Sequence, residues 1–484
     1  MSGAGGGSDV LVFDVGSSGL KAVVYDTAGV IIDRIETPYA RPPVDHRQSP
    51  WDWWSAAVIA SSQIDCRQVG AIALTGTMEN LIPISGGGEP LGEALLYSNP
   101  CGAAYLEEMA GALEAAEAGR ICGNTPEPLM TAFKLAWLAE NERERFDRAA
   151  CFLPGSKDFL VLQLTGACMT DPTCAATTGL MDLASRDWST PLRTIFGVER
   201  RRLPHIRPAT DIAGTLIETA AGELGLPAGI PVINGCGDGG ATTVGGGADA
   251  TADVSLYLGT TGWVARIAGS AALGKPSHFY RLPHPAGEGV IEIAPILSAG
   301  SATQWARSVL AVDIARGEAL AAKADAAPHD VLFLPYLSGE RSPFIDLELR
   351  GAFLGLGPKD APHDLYYAVL EGVAMAIESN LAAMGGAGRK VSLVGGGALS
   401  RVWPQIIADM IEAPILSPAD PVAATSFGAF RLAQRALRLP LSTGTLHPIA
   451  APRPERAERA SRQRQRFAQA TALARQLEPA SPVA

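Results

Sequence analysis

Two aspartates set among glycines, hydroxyl residues and apolar runs hold most of the chemistry that this 484-residue sequence offers. Asp14 ends the apolar run VLVFDV and is followed by Gly16, Ser17, Ser18 and Lys21. A turn of such small residues leaves backbone N–H groups pointing outward as a nest for phosphate oxygens. A neighbouring carboxylate can hold hard magnesium together with waters, and Lys21 adds positive charge. Asp14 can equally cap the turn by accepting backbone N–H bonds. Asp238 lies in PVINGCGDGG, where an apolar strand runs through a glycine turn into a helix start. The helix field favours an ionised Asp238, and the glycines leave room for a hydroxyl to approach, which suits a general base. The same position also suits a plain helix N-cap.

The Gly16 turn has a counterpart. VLVFDVGSSGLKAVV and DVSLYLGTTGWVARI each give an apolar strand, a Gly-hydroxyl-hydroxyl-Gly turn and a second apolar run, so the chain reads as duplicated. Thr260, Thr261 and Gly262 then belong to a second nest. One such turn alone is an ordinary hairpin loop; two imply a pair that grips one polyphosphate. A third turn, in KVSLVGGGALS, joins a strand to an amphipathic helix and lets a flat ligand lie against Gly396 and Gly397. It lacks both the GxGxxG spacing and the Walker lysine, which excludes the Rossmann and P-loop readings.

These turns need elements to hold them. DVLVFDVGSSGLKAVVYDTAGVIIDRIE reads as a meander of three strands. SPWDWWSAAVIASS places Trp51, Trp54 and Val58 at helical spacing, and VGAIALTG reads as a buried strand. KLAWLAENERERFDRAA and KDFLVLQLTG read as amphipathic helices, the second stopped by Gly166. The length favours two domains. They are expected at residues 9–247 and 253–442, with a hinge near Gly245 to Asp253. Residues 1–8 read as a disordered leader, and 450–484 as a solvated terminal helix with disordered ends.

Composition narrows the partners. Hydrophobic residues at 47% and charged residues at 18% describe a globular protein. A formal net charge of −11 argues against nucleic acid and anionic membrane surfaces. No secretory signal pattern opens the chain, and no apolar run is long enough to span a membrane. The seven cysteines are scattered singly without CxxC spacing, which suits buried apolar roles in a reduced cytoplasm and no zinc.

The residues also carry a family resemblance. GAFLGLGPKDAPHDLYYAVLEGVA resembles the second signature of the FGGY carbohydrate kinases: Gly351, Phe353, Gly355, Leu356, a seven-residue spacer, then Asp364, Leu365, Ala368, Val369, Leu370 and Glu371. PYLSGERSPFIDLELRG is similar to the stretch leading into it. DVGSSGLKAVV, LTGACMTDPTCAATTGLMD, GCGDGG, LGTTGW and VGGGALS are similar to its other landmarks, in the same order. The resemblance implies an α/β fold of two actin-like (ribonuclease H-like) domains around a central cleft, the first binding sugar and the second ATP. It implies ATP-dependent phosphorylation of a sugar or polyol hydroxyl with Mg2+. The residue matching Asp238 would then deprotonate the acceptor hydroxyl, and that matching Asp14 would organise magnesium. Groups matching Gly16, Ser17, Ser18, Thr260, Thr261 and Gly262 would embrace the phosphates, with Gly396 and Gly397 against the adenosine. Such a reaction needs positioning and charge stabilisation more than covalent help, and a cleft that shuts on sugar excludes water.

The sugar side departs from the family pattern. TGTMEN stands where xylulokinase-like relatives carry a Gly-Gln-Met-His type sequence, so this chain offers Met78 and Glu79 and no histidine. Where many relatives place an aromatic, Asp and Arg at alternate positions, it reads Tyr97, Asn99 and Cys101. Met78, Glu79, Asn99 and Asp238 are expected to line the sugar pocket, the alternative for the Asn99 loop being simple packing. The DVGSSGLK turn is most similar to xylulokinase-like members, which implies a ketopentose such as xylulose or ribulose. The competing reading is a catalytically idle sugar-binding regulator on the same fold. A homodimer stays open.

Overall fold

The computed structural model describes residues 7–273, 277, 279–327, 330–386, 390–442 and 444–477. Most of the expected leader, and the tail beyond 477, lie outside the described residues. The chain forms two units. One comprises residues up to Gly245 with Gly269–Ile291 and Thr425–Thr443; the other comprises Gly246–Ala268, Glu292–Ala424 and Gly444–Ala484. The chain leaves the first unit after Gly245, and two later segments return to it.

The first unit is built on β1 (Asp9–Val15), β2 (Gly19–Tyr25), β3 (Ile31–Pro38), β4 (Val69–Gly76), β5 (Ile212–Thr215) and β6 (Pro231–Gly237), in the order β5-β6-β4-β1-β2-β3. The meander β1-β2-β3 is antiparallel, as the sequence predicts, and β4 pairs in parallel with β1 and β6. Successive side chains of β1 point to opposite faces. Leu11, Phe13 and Val15 join a core with α1 (Pro50–Gln63); Val10 and Val12 join another with Phe430 and Ala433 of the helix Ala424–Ala436. A sheet covered on both faces explains a run that is continuously apolar.

Three helices differ from expectation. In α1 the buried face centres on Trp53, Ala57 and Ala60, with Trp54 beside them, while Trp51 and Val58 are only half-buried. The polar run after Trp137 breaks at Glu142, giving α2 (Thr131–Asn141) and a short helix Arg143–Arg148. The helix α3 (Ser156–Thr165) is not amphipathic. Phe159, Leu160, Val161 and Leu164 are all fully buried because the helix lies within the core, and Gly166 ends it in the left-handed conformation. Further on come α4 (Pro172–Ala176) and α5 (Asp238–Gly245), which starts where β6 ends.

The second unit repeats the plan. Its neighbouring strands are β9 (Val290–Ile296), β8 (Gly262–Ala268), β7 (Asp253–Leu258), β10 (Lys390–Val394), β11 (Ile415–Pro418) and β12 (Leu446–Ala450). As in β3-β2-β1-β4-β6-β5, an antiparallel hairpin is followed by two parallel pairings and an antiparallel edge. The duplication seen in two short segments therefore extends to the whole strand order.

The signature residue Glu371 lies on α6 (Pro362–Ala383) and is 2% exposed. Arg459, on α7 (Ala457–Ala474), forms an ion pair with it, Nη2 donating to Oε2 over 3.0 Å, and Gln463 Nε2 donates to the same oxygen over 3.2 Å. Phe467 is buried on the same helix. Residues 457–474 are thus packed along one face, where Arg459 and Gln463 reach buried Glu371, while Glu458 and Arg462 on the other face stay exposed. Cys151 and Cys168 are joined as a disulfide, against the expectation of unpaired thiols, and Cys122, Cys174 and Cys236 are buried. Among the described residues no helix is long and apolar enough to cross a membrane.

Candidate active site

The ends of β1, β4 and β6 bring the acidic groups of the first unit together. Asp14 faces Lys21 directly across the β1–β2 pair. Burial pushes its acid up to about 6; Lys21 pulls the other way, and Glu36 adds to the rise. Its carboxylate makes no hydrogen bond to any described residue. The following turn is closed by Gly16 N–H donating to Gly19 O over 3.1 Å, with Ser17 and Ser18 exposed at its tip. Tyr39 donates its hydroxyl to Gly16 O over 2.8 Å, and the Tyr97 phenol hydrogen-bonds Ser17.

Asp238 keeps some solvent access at its tip but is otherwise surrounded by protein. Burial is the main cause that pushes its acid up to about 7; the charge of Asp14 and, less strongly, that of Glu79 add to it, and the Gly239 N–H opposes them. That N–H donates to Asp238 Oδ1 over 2.8 Å. A conventional N-cap accepts from residues two or three further on. Asp238 accepts from its immediate neighbour and is itself the first helical residue, so the capping alternative does not describe it.

The GCGDGG glycines have a different task from the expected one of making room for a substrate. Gly235 has φ +68°, and a Cβ there would lie 1.7 Å from Leu74 O, at the bulge where β6 shifts register against β4. A Cβ on Gly237 would lie 2.1 Å from Met78 Sδ. The space beside Asp238 is therefore filled by Met78, one of the expected sugar-loop residues.

Glu79, at φ +60°, accepts at Oε1 from the Tyr280 hydroxyl over 2.6 Å, and its carbonyl accepts from Lys134 Nζ over 2.9 Å. Burial pulls the Lys134 ammonium down to about 8. Asn99, expected in the pocket, is 4% exposed. Its Nδ2 donates to Asp45 O and His46 O, and its Oδ1 accepts from Cys101 N. These bonds fasten its loop to the backbone and leave one lone pair of Oδ1.

In the second unit, Gly259 N–H donates to Thr261 O over 2.9 Å to close the β7–β8 turn, leaving Thr260 and Thr261 exposed. The helix Gly300–Leu310 starts against it, with Ser301 N–H donating to Thr260 O over 2.8 Å. Gly262 is buried and packs against Ala299. In the third turn Gly396 is exposed with open space before it, whereas a Cβ on Gly397 would meet Leu258 Cβ at 2.6 Å. The backbone surface offered to a flat ligand is thus that of Gly396, while Gly397 serves packing.

Asp14, Ser17, Lys21, Met78, Glu79 and Asp238 lie in the first unit, and Thr260, Thr261, Gly262 and Gly396 in the second. Sequence reasoning missed Tyr280 and Lys134, which have no signal near TGTMEN, and it read Tyr97 only as a loop residue.

Sequence models of the FGGY family of carbohydrate kinases match both halves, the N-terminal domain over residues 10–245 and the C-terminal domain over 256–437. A xylulose kinase of Escherichia coli (strain K12) is 31% identical over 87% of this chain and 88% of its own. A gluconokinase of Bacillus subtilis (strain 168) is 24% identical over 85% and 84%. The crystal structure of a xyloylose kinase from Brucella ovis superposes with a TM-score of 0.85 at 30% identity, over 96% of this chain and 99% of that one. The two-unit α/β fold, the repeated strand order and the ordered motifs agree with these matches, and the chain belongs to the FGGY family of carbohydrate kinases.

Proposed function

We propose that this kinase phosphorylates a neutral ketopentose of the xylulose type, with Asp238 as the base for the acceptor hydroxyl. As an FGGY kinase the chain uses ATP with Mg2+ to phosphorylate a sugar or polyol. In the transfer, the hydroxyl oxygen bonds to the γ-phosphorus while the bond from that phosphorus to the bridging oxygen breaks. ADP leaves, and the hydroxyl proton passes to a carboxylate oxygen of Asp238. The observation that carries this reading is the place of Asp238, at the junction of β6 and α5 near Asp14, where burial and that charge push its pKa up to about 7, close to the pH at which a base works best.

Ser17 and Ser18 with the Gly16 turn, and Thr260 and Thr261 with the Gly262 turn, would cradle phosphates, and Gly396 would face the adenosine. Lys21 opposes phosphate charge. Asp14 fits magnesium, since its buried carboxylate has no hydrogen-bond partner among the described residues; the ion would neutralise phosphate charge when bound.

The acidic surroundings argue for the substrate class. Asp14 and Glu79 already raise the cost of charging Asp238, so a sugar acid would bring a further negative charge into their field. A neutral polyol does not, and Glu79 Oε2 can accept from one of its hydroxyls. This favours the xylulose-type over the gluconate-type substrate. We place its action in the cytoplasm, where ATP and sugars meet, with a homodimer as the assembly that sedimentation would check. A coupled ADP-release assay with xylulose, ribulose, gluconate and glycerol tests the reading. The highest kcat/KM is expected with a ketopentose; a preference for gluconate would overturn the substrate class, and ATP binding without turnover on any sugar would favour the idle regulator.

A further inference from the structure

Beneath Asp238 lies a column of buried polar groups that the reaction itself does not use. Gly237 N–H, of the Cys236–Gly237 peptide that leads into Asp238, donates to Thr173 Oγ1 over 2.8 Å. Thr173 Oγ1 donates in turn to Asp171 Oδ2 over 2.6 Å, and Thr173 N–H donates to the same oxygen over 2.7 Å. Asp171 Oδ1 lies 3.3 Å from Lys157 Nζ, which lies 2.6 Å from Asp158 Oδ1. Asp158 Oδ2 accepts from Thr170 Oγ1 over 2.8 Å. Lys157 Nζ also reaches Asn234 Oδ1 at 3.4 Å, three residues before Gly237. Thr170, Asp171, Thr173, Lys157, Asp158 and Asn234 are all 0% exposed.

Two features make this column more than packing. Asp158, Asp171 and Cys174 lie close enough together to hold a metal ion, but the Lys157 ammonium supplies the positive charge there, so the cluster is held by a covalently fixed cation. And the hydroxyl of Thr173 has one proton, committed to Asp171, so that a lone pair must face Gly237 N–H. The direction of the Cys236–Gly237 peptide, which leads into Asp238, is thereby set from the buried Lys157 cluster through one hydroxyl. The bulge at Gly235, just upstream, gives β6 the irregularity that such a strut constrains.

We propose that Thr173 is a positioning residue for phosphoryl transfer, fixing the Cys236–Gly237 peptide and through it the Gly237 backbone that carries the chain into Asp238, with Lys157, Asp158 and Asp171 as its anchor. The proposal rests on the reading of Asp238 as base. Thr173→Val keeps the shape and removes the hydroxyl; Thr173→Ser keeps the hydroxyl and removes the methyl. Since a misplacement of about 1 Å costs up to about 10²-fold in rate, kcat of the valine variant should fall about 10–100-fold, with KM for sugar and ATP changed by less than about threefold. The serine variant should restore kcat to within about threefold of wild type. A folded Thr173→Val protein with wild-type kcat overturns the proposal, as does a serine variant that falls as far as the valine one. If the valine variant does not fold, the serine variant decides: near-normal kcat supports the strut, and a loss of about tenfold or more refutes it. Asp238→Asn, assayed alongside, separates the two ideas. If it is active, the base is wrong; if it is inactive while Thr173→Val is normal, only the strut is wrong.

Discussion

Replacing Asp238 by Asn should remove activity and add stability, and the two effects follow from one feature of the site. Asn keeps the shape and can accept from Gly239 N–H, but it cannot take a proton from the acceptor hydroxyl. Loss of a general base costs about 10²–10⁴-fold in turnover. The stability effect runs the other way. Burial and the charges of Asp14 and Glu79 raise the Asp238 acid to about 7 in the folded chain, so the folded state binds this proton more tightly than the unfolded state does. The stability contributed by that proton is fully present below the unfolded carboxylate pKa of about 4 and is lost as pH rises through about 7. A rise of about three in pKa corresponds to about 4 kcal/mol at most, and solvent at the carboxylate tip reduces this to about 1–3 kcal/mol. Asp238→Asn should therefore be more stable than wild type by about that much at pH 8, with the gain vanishing near pH 4. Urea unfolding at pH 4, 6 and 8, beside a coupled ADP-release assay on the identified sugar, measures both. A helix cap would be replaced by Asn with little change in either. Near-normal turnover, or a variant no more stable at pH 8 than at pH 4, would refute the reasoning.

The same electrostatics set the pH profile: kcat/KM should fall about tenfold per unit as pH drops below about 7, where the base becomes protonated. Glu79→Gln should move that acid limb to lower pH and admit gluconate more readily; an unmoved limb would show that Glu79 and Asp238 are not coupled. Magnesium-ATP at 100 times its Kd should stabilise the wild-type chain by about 2.7 kcal/mol, seen as a thermal shift that no longer depends on magnesium in Asp14→Asn. Arg459→Ala should destabilise by about 3–5 kcal/mol in urea, because it leaves Glu371 buried without its cation; a change under about 1 kcal/mol would mean that the tail helix is only loosely docked.

Local backbone features were the most legible. The β1-β2-β3 meander, the left-handed stop at Gly166 and the two hairpin turns follow from residues within a few positions of each other. What failed depends on partners far away in sequence. Residues 457–474 look like a solvated helix because Arg459 and Gln463 are polar, and nothing nearby announces Glu371, 88 residues before Arg459. The Tyr280 that holds Glu79 is 201 residues away. Likewise Phe430, which packs on β1 and β2, lies in the chain between β11 and β12 of the second unit.

The site shows a finer version of this divide. GCGDGG marked the right place because a strand, a tight turn and a helix start leave a local imprint, yet the reason for its glycines was not local. The missing side chain at Gly237 is filled by Met78, and the residue after Met78 is Glu79, whose charge raises the pKa of Asp238. The loop that departs from the family pattern is thus in contact with the turn that carries Asp238. A substitution at Met78 or Glu79 cannot alter sugar contacts alone, since it shifts either the packing under the Gly237 peptide or the charge state of the carboxylate that follows it. If Asp238 is the base and this loop meets the sugar, as proposed, sugar preference and the pH at which transfer runs should shift together on substitution of either residue.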